Sequence, residues 1–180
     1  MIATGVFLAF VFRFFRDPDR ESPEGDEKIL APADGRIISV ENWKNKRTNE
    51  SGQRISIFMN IFNVHVNRSP VSGVITDVVH YPGEYKSAFK PEAERENERT
   101  VVQVKTAYGV VTFSQVAGFV ARRIVFNALV GDEVQAGDKI GMIKFGSRMD
   151  VYLPPNVDVL CSIGEKVTAG ETIIGEFHQW

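Results

Sequence analysis

Ser147 follows Gly146 in the run Ile143-Lys144-Phe145-Gly146-Ser147-Arg148-Met149-Asp150. Glycine leaves its carbonyl unshielded, and the serine hydroxyl stands one residue beyond it, the arrangement by which a backbone can be attacked by its own side chain. Gly and Ser are also ordinary turn residues, so the pair acquires meaning only from partners. The chemistry needs a base for the hydroxyl proton and a group that orients that base. His65, in Asn60-Ile61-Phe62-Asn63-Val64-His65-Val66-Asn67-Arg68-Ser69-Pro70, is a candidate base, with His80 and His178 as competitors. Asp34, in Ala31-Pro32-Ala33-Asp34-Gly35, is a candidate carboxylate, although Asp-Gly is a common turn pair. The G-x-S-x-G elbow of a generic serine hydrolase is absent around Ser147.

The elements that must position these residues read as strands. Short β-prone runs separated by turns cover 35–41, 54–60, 73–80, 100–106, 109–116, 121–128, 139–144, 150–152 and 172–177. Many short strands and few helical periods predict a mainly β architecture, a β-rich α+β fold in a single domain. Residues 85–99 are polar and charge-rich, and read as a mobile loop or a short helix beside a site. Residues 131–141 recur as 164–175, each copy carrying apolar residues around an Ala-Gly-acidic turn. Such a turn suits a tight β-hairpin whose glycine takes positive φ. The two copies resemble the paired hammerhead turns of biotinyl and lipoyl carrier domains, and so a barrel-sandwich hybrid. Ser147 lies between them.

Length and composition narrow the function classes. A chain of 180 residues is long enough for one domain with a real core. Its 21 basic and 23 acidic residues are intermingled, so no electrostatic footprint for nucleic acid is visible. Cys161 is the only cysteine, which excludes an internal disulfide framework and a CxxC zinc or redox site, and no metal is expected. Residues 1–16 carry the one strongly apolar stretch, shorter than the roughly 20 residues needed to span a bilayer. It reads as a membrane-associated segment, or the end of a longer span, with Arg13 and Arg16 near headgroups. Residues 17–28 read as a linker to a domain over 29–180.

Phe14-Phe15-Arg16-Asp17-Pro18, Ala31-Pro32-Ala33-Asp34-Gly35, His65-Val66-Asn67-Arg68-Ser69-Pro70, Tyr81-Pro82-Gly83, Asn97-Glu98-Arg99, Ala121-Arg122-Arg123-Ile124-Val125 and Phe145-Gly146-Ser147-Arg148 follow one another through nearly the whole chain. In order and spacing this set resembles the phosphatidylserine decarboxylase family, in its short archaeal-type branch. The resemblance implies a self-processing proenzyme cut between Gly146 and Ser147 into a β chain of 1–146 and an α chain of 147–180. It implies that His65, oriented by Asp34, deprotonates Ser147, and that Ser147 becomes a covalent pyruvoyl cofactor forming a Schiff base with the substrate amine. His65 would then return a proton to the substrate. The implied substrate is phosphatidylserine or a related serine phospholipid, and the product is the ethanolamine lipid with carbon dioxide. The implied setting is the cytoplasmic face of the cell membrane, peripheral or monotopic, with α and β chains associated and a homodimer as a further candidate assembly. Larger bacterial members carry a second His where this chain has Phe62, and Leu-Gly-Ser-Thr where it has Phe145-Gly146-Ser147-Arg148.

Lys86, Arg95, Arg99, Arg122 and Arg123 are candidates for a lipid phosphate by charge alone. The alternative reading is a non-enzymatic biotinyl- or lipoyl-like carrier, or a membrane-anchored adaptor. It would need Lys144 as the modified residue, but Phe145-Gly146 follows it and no Met-Lys-Met is present.

Overall fold

The computed structural model describes residues 2–44, 51–89, 93–119, 123–144 and 147–178. In chain order the elements are α1 (Ile2–Phe14), β1 (Lys28–Leu30), β2 (Gly35–Lys44), β3 (Ser51–Met59), β4 (Val66–Arg68), β5 (Gly73–Tyr81), α2 (Ala93–Glu96), β6 (Arg99–Lys105), β7 (Val110–Val116), β8 (Ile124–Phe126), β9 (Glu133–Val134), β10 (Lys139–Ile143), β11 (Ser147–Leu153), β12 (Val157–Val159), β13 (Lys166–Val167) and β14 (Ile173–Phe177). The expected mainly β, single-domain class is what the chain adopts. An eight-stranded sheet runs β13-β2-β3-β11-β7-β6-β5-β9, and two three-stranded sheets run β1-β14-β12 and β4-β10-β8. All of these pairings are antiparallel.

Period-two alternation explains the core. Along β6 and β7 alternate side chains turn inward, the apolar ones being Val102 and Val104, then Val111 and Phe113. On β3 and β11 the same face carries Ile55, Ile57, Met59, Met149 and Val151. These residues, with Ile37, Ile75, Ile140, Ile174 and Phe177, form one cluster enclosed by the curled large sheet and the two small ones.

The repeated turns behave differently from simple hairpins. Gly131, Gly137, Gly164 and Gly170 all have positive φ, between 74° and 96°, as the Ala-Gly-acidic pattern predicts. The two arms of each copy, however, pair with earlier strands rather than with each other. β9 joins β5 while β10 joins β4, and β13 joins β2 while β14 joins β1. Each copy is therefore a hammerhead bridging the large sheet and a small one. The strand pairs it meets form a second repeat, Ala31-Pro32-Ala33-Asp34-Gly35 matching Ser69-Pro70-Val71-Ser72-Gly73.

A local two-fold relation follows from the bonds. Leu30 N–H donates to Pro70 O and Arg68 N–H to Pro32 O. Gly170 N–H donates to Ala31 O as Gly137 N–H does to Ser69 O, and Ile37 N–H to Glu165 O as Ile75 N–H does to Asp132 O. At the centre Gly170 has φ of +74°, and a Cβ there would stand 2.9 Å from Arg68 Cδ with Gly137 Cα at 3.4 Å, so glycine suits the place where the two turns meet.

Residues 17–28, expected to be a linker, lie across this centre and are tied down. Arg68 reaches Pro18 O and Asp17, Lys139 reaches Asp17, and Arg20 reaches Asp34 and Glu171. Of residues 85–99, expected as a mobile loop or short helix, those described contain the four-residue α2, and Asn97 ties the segment's start to the core through side-chain bonds to Lys86 N, Lys86 O and Ala117 O.

Candidate active site

Ser147 is the first residue of β11, the strand held between β3 and β7 at the middle of the large sheet. The preceding described strand, β10, belongs to a small sheet, so the chain changes sheets just before Ser147. Gly146 lies outside the described residues. Opposite Ser147 in the register is Met59, and both side chains face the core. Ser147 is fully buried, and its Oγ donates to Met59 Sδ at 3.3 Å.

His65 stands immediately before β4 and is also fully buried. The chain reaches it through a tight turn in which Asn60 Oδ1 accepts Phe62 N–H and Asn63 Oδ1 accepts Asn60 N–H. His65 Nδ1 lies 3.0 Å from the Asn63 carbonyl. A carbonyl only accepts, so Nδ1 carries the hydrogen and Nε2 keeps its lone pair. That Nε2 is buried and has no hydrogen-bond partner among the described residues. Phe14, at the end of α1, covers the imidazole with ring centroids 4.1 Å apart. Burial pushes the His65 pKa down to about 4, only partly opposed by the Asn63 hydrogen bond and the Asp34 charge. The ring is therefore neutral at physiological pH, the state a base requires.

Asp34 does not hydrogen-bond His65. Its carboxylate accepts from Arg20 Nη2 at 3.1 and 3.2 Å, and Oδ1 also accepts the Ala169 N–H at 2.9 Å. The orienting bond expected of Asp34 is made by the Asn63 carbonyl instead, and Asp34 acts on the ring through its charge. The competing histidines are elsewhere. His80 bonds Thr100 with Glu98 3.8 Å away, and His178 lies 3.0 Å from Asp158; both side chains are about half exposed.

Three residues at the site went unnoticed in the sequence. Asn67 shares the strand face of His65, two residues on, and donates to the same Met59 sulfur at 3.8 Å. Gln115 on β7 donates to Asn67 Oδ1 at 2.9 Å and to Val125 O at 3.3 Å. Arg148 is buried on the opposite face of β11, its Nη2 2.9 Å from Asp150 Oδ2 and its Nη1 donating to Ala88 O. The only sequence signal for the first two was a pair of amides in short β-prone runs.

A cleft of about 530 Å³ opens beside the site, lined by Asp34, Arg36, Phe58, Asn63, Phe62 and Phe89 among others. Phe62 and Phe89 are exposed there, and Phe7, Phe12 and Phe15 are exposed along α1. Arg16 joins the two regions by donating to Phe62 O. Of the cations considered for a phosphate, Lys86 is held by Glu84 and Glu96, and Arg99 lies 4.4 Å over the Tyr81 ring. Arg123 is exposed, while Arg122 and the Arg95 side chain lie outside what is described.

The sequence profile of one family, described as phosphatidylserine decarboxylase, matches residues 7–175. A Methanococcoides burtonii protein provisionally assigned as an archaetidylserine decarboxylase proenzyme is 47% identical over 95% of this chain and 77% of its own length. Phosphatidylserine decarboxylase proenzymes of Burkholderia multivorans and Burkholderia ambifaria are 47% and 46% identical, each over 97% of this chain and 82% of their own.

Proposed function

The chain belongs to the phosphatidylserine decarboxylase family, and from that premise we propose that it converts phosphatidylserine, or a related serine phospholipid, to the ethanolamine lipid with release of carbon dioxide. It does so after cutting itself between Gly146 and Ser147. The observation that supports the self-processing reading is a fully buried Ser147 together with a buried, neutral His65 whose Nε2 keeps its lone pair and has no hydrogen-bond partner among the described residues.

In processing, His65 Nε2 takes the Ser147 proton as Oγ attacks the preceding carbonyl carbon. The C–N bond breaks, the nitrogen takes a proton, and the amide becomes an ester. β-Elimination then separates the β chain, 1–146, from the α chain, 147–180. Hydrolysis of the dehydroalanine left at position 147 releases ammonia. Asp34 steadies the charged imidazole through space, and Asn63 holds its orientation. Burial excludes the water that would otherwise hydrolyse the ester directly.

Position 147 suits a pyruvoyl group, since it is dry and fixed at the start of a central strand, with a small side chain giving way to a small cofactor. When present, that group supplies a carbonyl that condenses with an amine and accepts an electron pair. His65 Nε2, once it has taken up a proton, then returns it to the substrate. The cleft lined by Phe58, Phe62 and Phe89 offers the lipid an apolar approach.

The exposed phenylalanines of α1 and of the 61–62 turn favour a peripheral or monotopic association with the cytoplasmic face of the membrane. No described helix is long and apolar enough to cross a bilayer. The α and β chains stay together through β11, β13 and β14, and a homodimer is compatible with this arrangement. No observation favours the carrier alternative. Intact mass before and after incubation, with carbon dioxide release from serine lipids, tests the reading.

A further inference from the structure

Asn67 and Gln115 are fully buried, and the reading above gives them no work. Their orientations are determined in sequence. The Val125 carbonyl can only accept, so it takes Gln115 Nε2–H; that nitrogen also donates to Asn67, which must therefore present Oδ1. Asn67 Nδ2 is left facing Met59, and its one partner there is a thioether, a weak acceptor, at 3.8 Å. A buried amide donor so poorly satisfied carries a desolvation cost that a stronger acceptor would offset. The sulfur it faces is the one that Ser147 Oγ touches at 3.3 Å.

The nucleophile and an under-used donor thus converge on one atom. When Oγ adds to the preceding carbonyl, the π pair moves onto the carbonyl oxygen, which is then only two bonds from Oγ. We propose that Asn67, clamped by Gln115, donates an N–H to that oxyanion during self-cleavage. The inference rests on the self-processing reading. Its proton and electron balance is that of the acyl shift: Oγ–C forms, the Oγ proton goes to His65 Nε2, and collapse of the oxyanion breaks C–N with a proton delivered to nitrogen. Asn67 only donates and neither gains nor loses a proton. Gln115 is a positioning residue.

The test follows conversion of the uncut chain to its two fragments by intact mass across pH 5–8. Asn67→Ala is expected to cut about 10²-fold more slowly, the usual loss for one oxyanion donor. Its pH profile should keep the unmutated shape, because an amide does not titrate there. Hydroxylamine, which cleaves an accumulated ester, should not speed it, since the block precedes the ester. If the unmutated chain never cuts, the processing reading and this inference fall together. If it cuts and Asn67→Ala keeps pace, or if hydroxylamine releases the fragments, this inference alone is overturned. Should Asn67→Ala melt too low to assay, Gln115→Met, which frees Asn67 to turn, takes its place; slowed cutting supports the inference and an unmutated rate overturns it.

Discussion

Asp34 and Ser72 occupy equivalent places in the two halves of the fold: Asp34 Oδ1 accepts the Ala169 N–H at 2.9 Å, and Ser72 Oγ accepts the Ala136 N–H at 3.1 Å. One turn is capped by a carboxylate and its counterpart by a neutral hydroxyl. The cap needs an acceptor; it does not need a charge. The charge of Asp34 is left to act on His65, whose protonated form it favours.

Asp34→Ser therefore separates the two duties. The fold is expected to survive with a loss near that of one hydrogen bond and its ion pair, about 1–2 kcal/mol. Cleavage should slow by about tenfold, the equivalent of one pKa unit of lost charge stabilisation. Melting curves and fragment mass read the two effects independently, and unchanged cleavage would reduce Asp34 to a turn cap.

His65 gives the processing reaction a distinctive pH dependence. With its pKa pushed down to about 4 by burial, the base stays available through neutral pH, and cleavage should decline only as the pH approaches that value. Stability follows the same linkage. The unfolded chain binds the proton below about 6.5 and the folded chain not until about 4, so stability is lost between those values as pH falls. His65→Gln should abolish processing and remove that part of the acid sensitivity. Equal acid sensitivity in both chains, measured by denaturant titration at pH 7 and 4.5, would contradict this.

Ser147→Ala should remain a single chain and release no carbon dioxide from serine lipids. The unmutated protein should give two fragments that co-elute in native size exclusion and separate only in denaturant. β11 pairs with both β3 and β7, β13 with β2, and β14 with β1, so the small fragment is hydrogen-bonded to strands of the large one. Spontaneous separation at neutral pH would be the contrary result.

The buried pair of Arg148 and Asp150 should govern stability. Both side chains are almost wholly inaccessible, and the ring of contacts extends to the Ala88 carbonyl. Arg148→Met strands a buried carboxylate and is expected to cost about 3–5 kcal/mol. Adding Asp150→Leu should recover much of that loss, because an apolar pair needs no compensation. Both are best measured in the uncut Ser147→Ala background, where unfolding involves one chain.

What the sequence made legible was local. Alternating runs such as 100–106 and 109–116 declared their strands, and the Ala-Gly-acidic pattern declared turns with positive φ at Gly137 and Gly170. β9 and β13, two residues each, are too short for any period to register. The match between 31–35 and 69–73 was present in the Pro and Gly positions but is divergent in between. The partners of Ser147 were invisible for a different reason: Met59, Asn67 and Gln115 lie 88, 80 and 32 residues before it, and only the ladders of β3, β4 and β7 bring them together. Asp34 was assigned to His65 because both are chemically apt, whereas its cation, Arg20, sat in a stretch that resembled a linker.

Ser147 opens a central strand of the sheet, not an edge strand. The strands on its two sides, β3 and β7, lie 88 and about 30 residues earlier in the chain, and the hydroxyl gains its surroundings only when all three have come together. If the chain processes itself as proposed, a misregistered ladder leaves the serine in water and uncut. Activation by such a route would be an assay of the molecule's own assembly: the fold would certify itself before the catalyst is made, and defective copies would remain inert precursors.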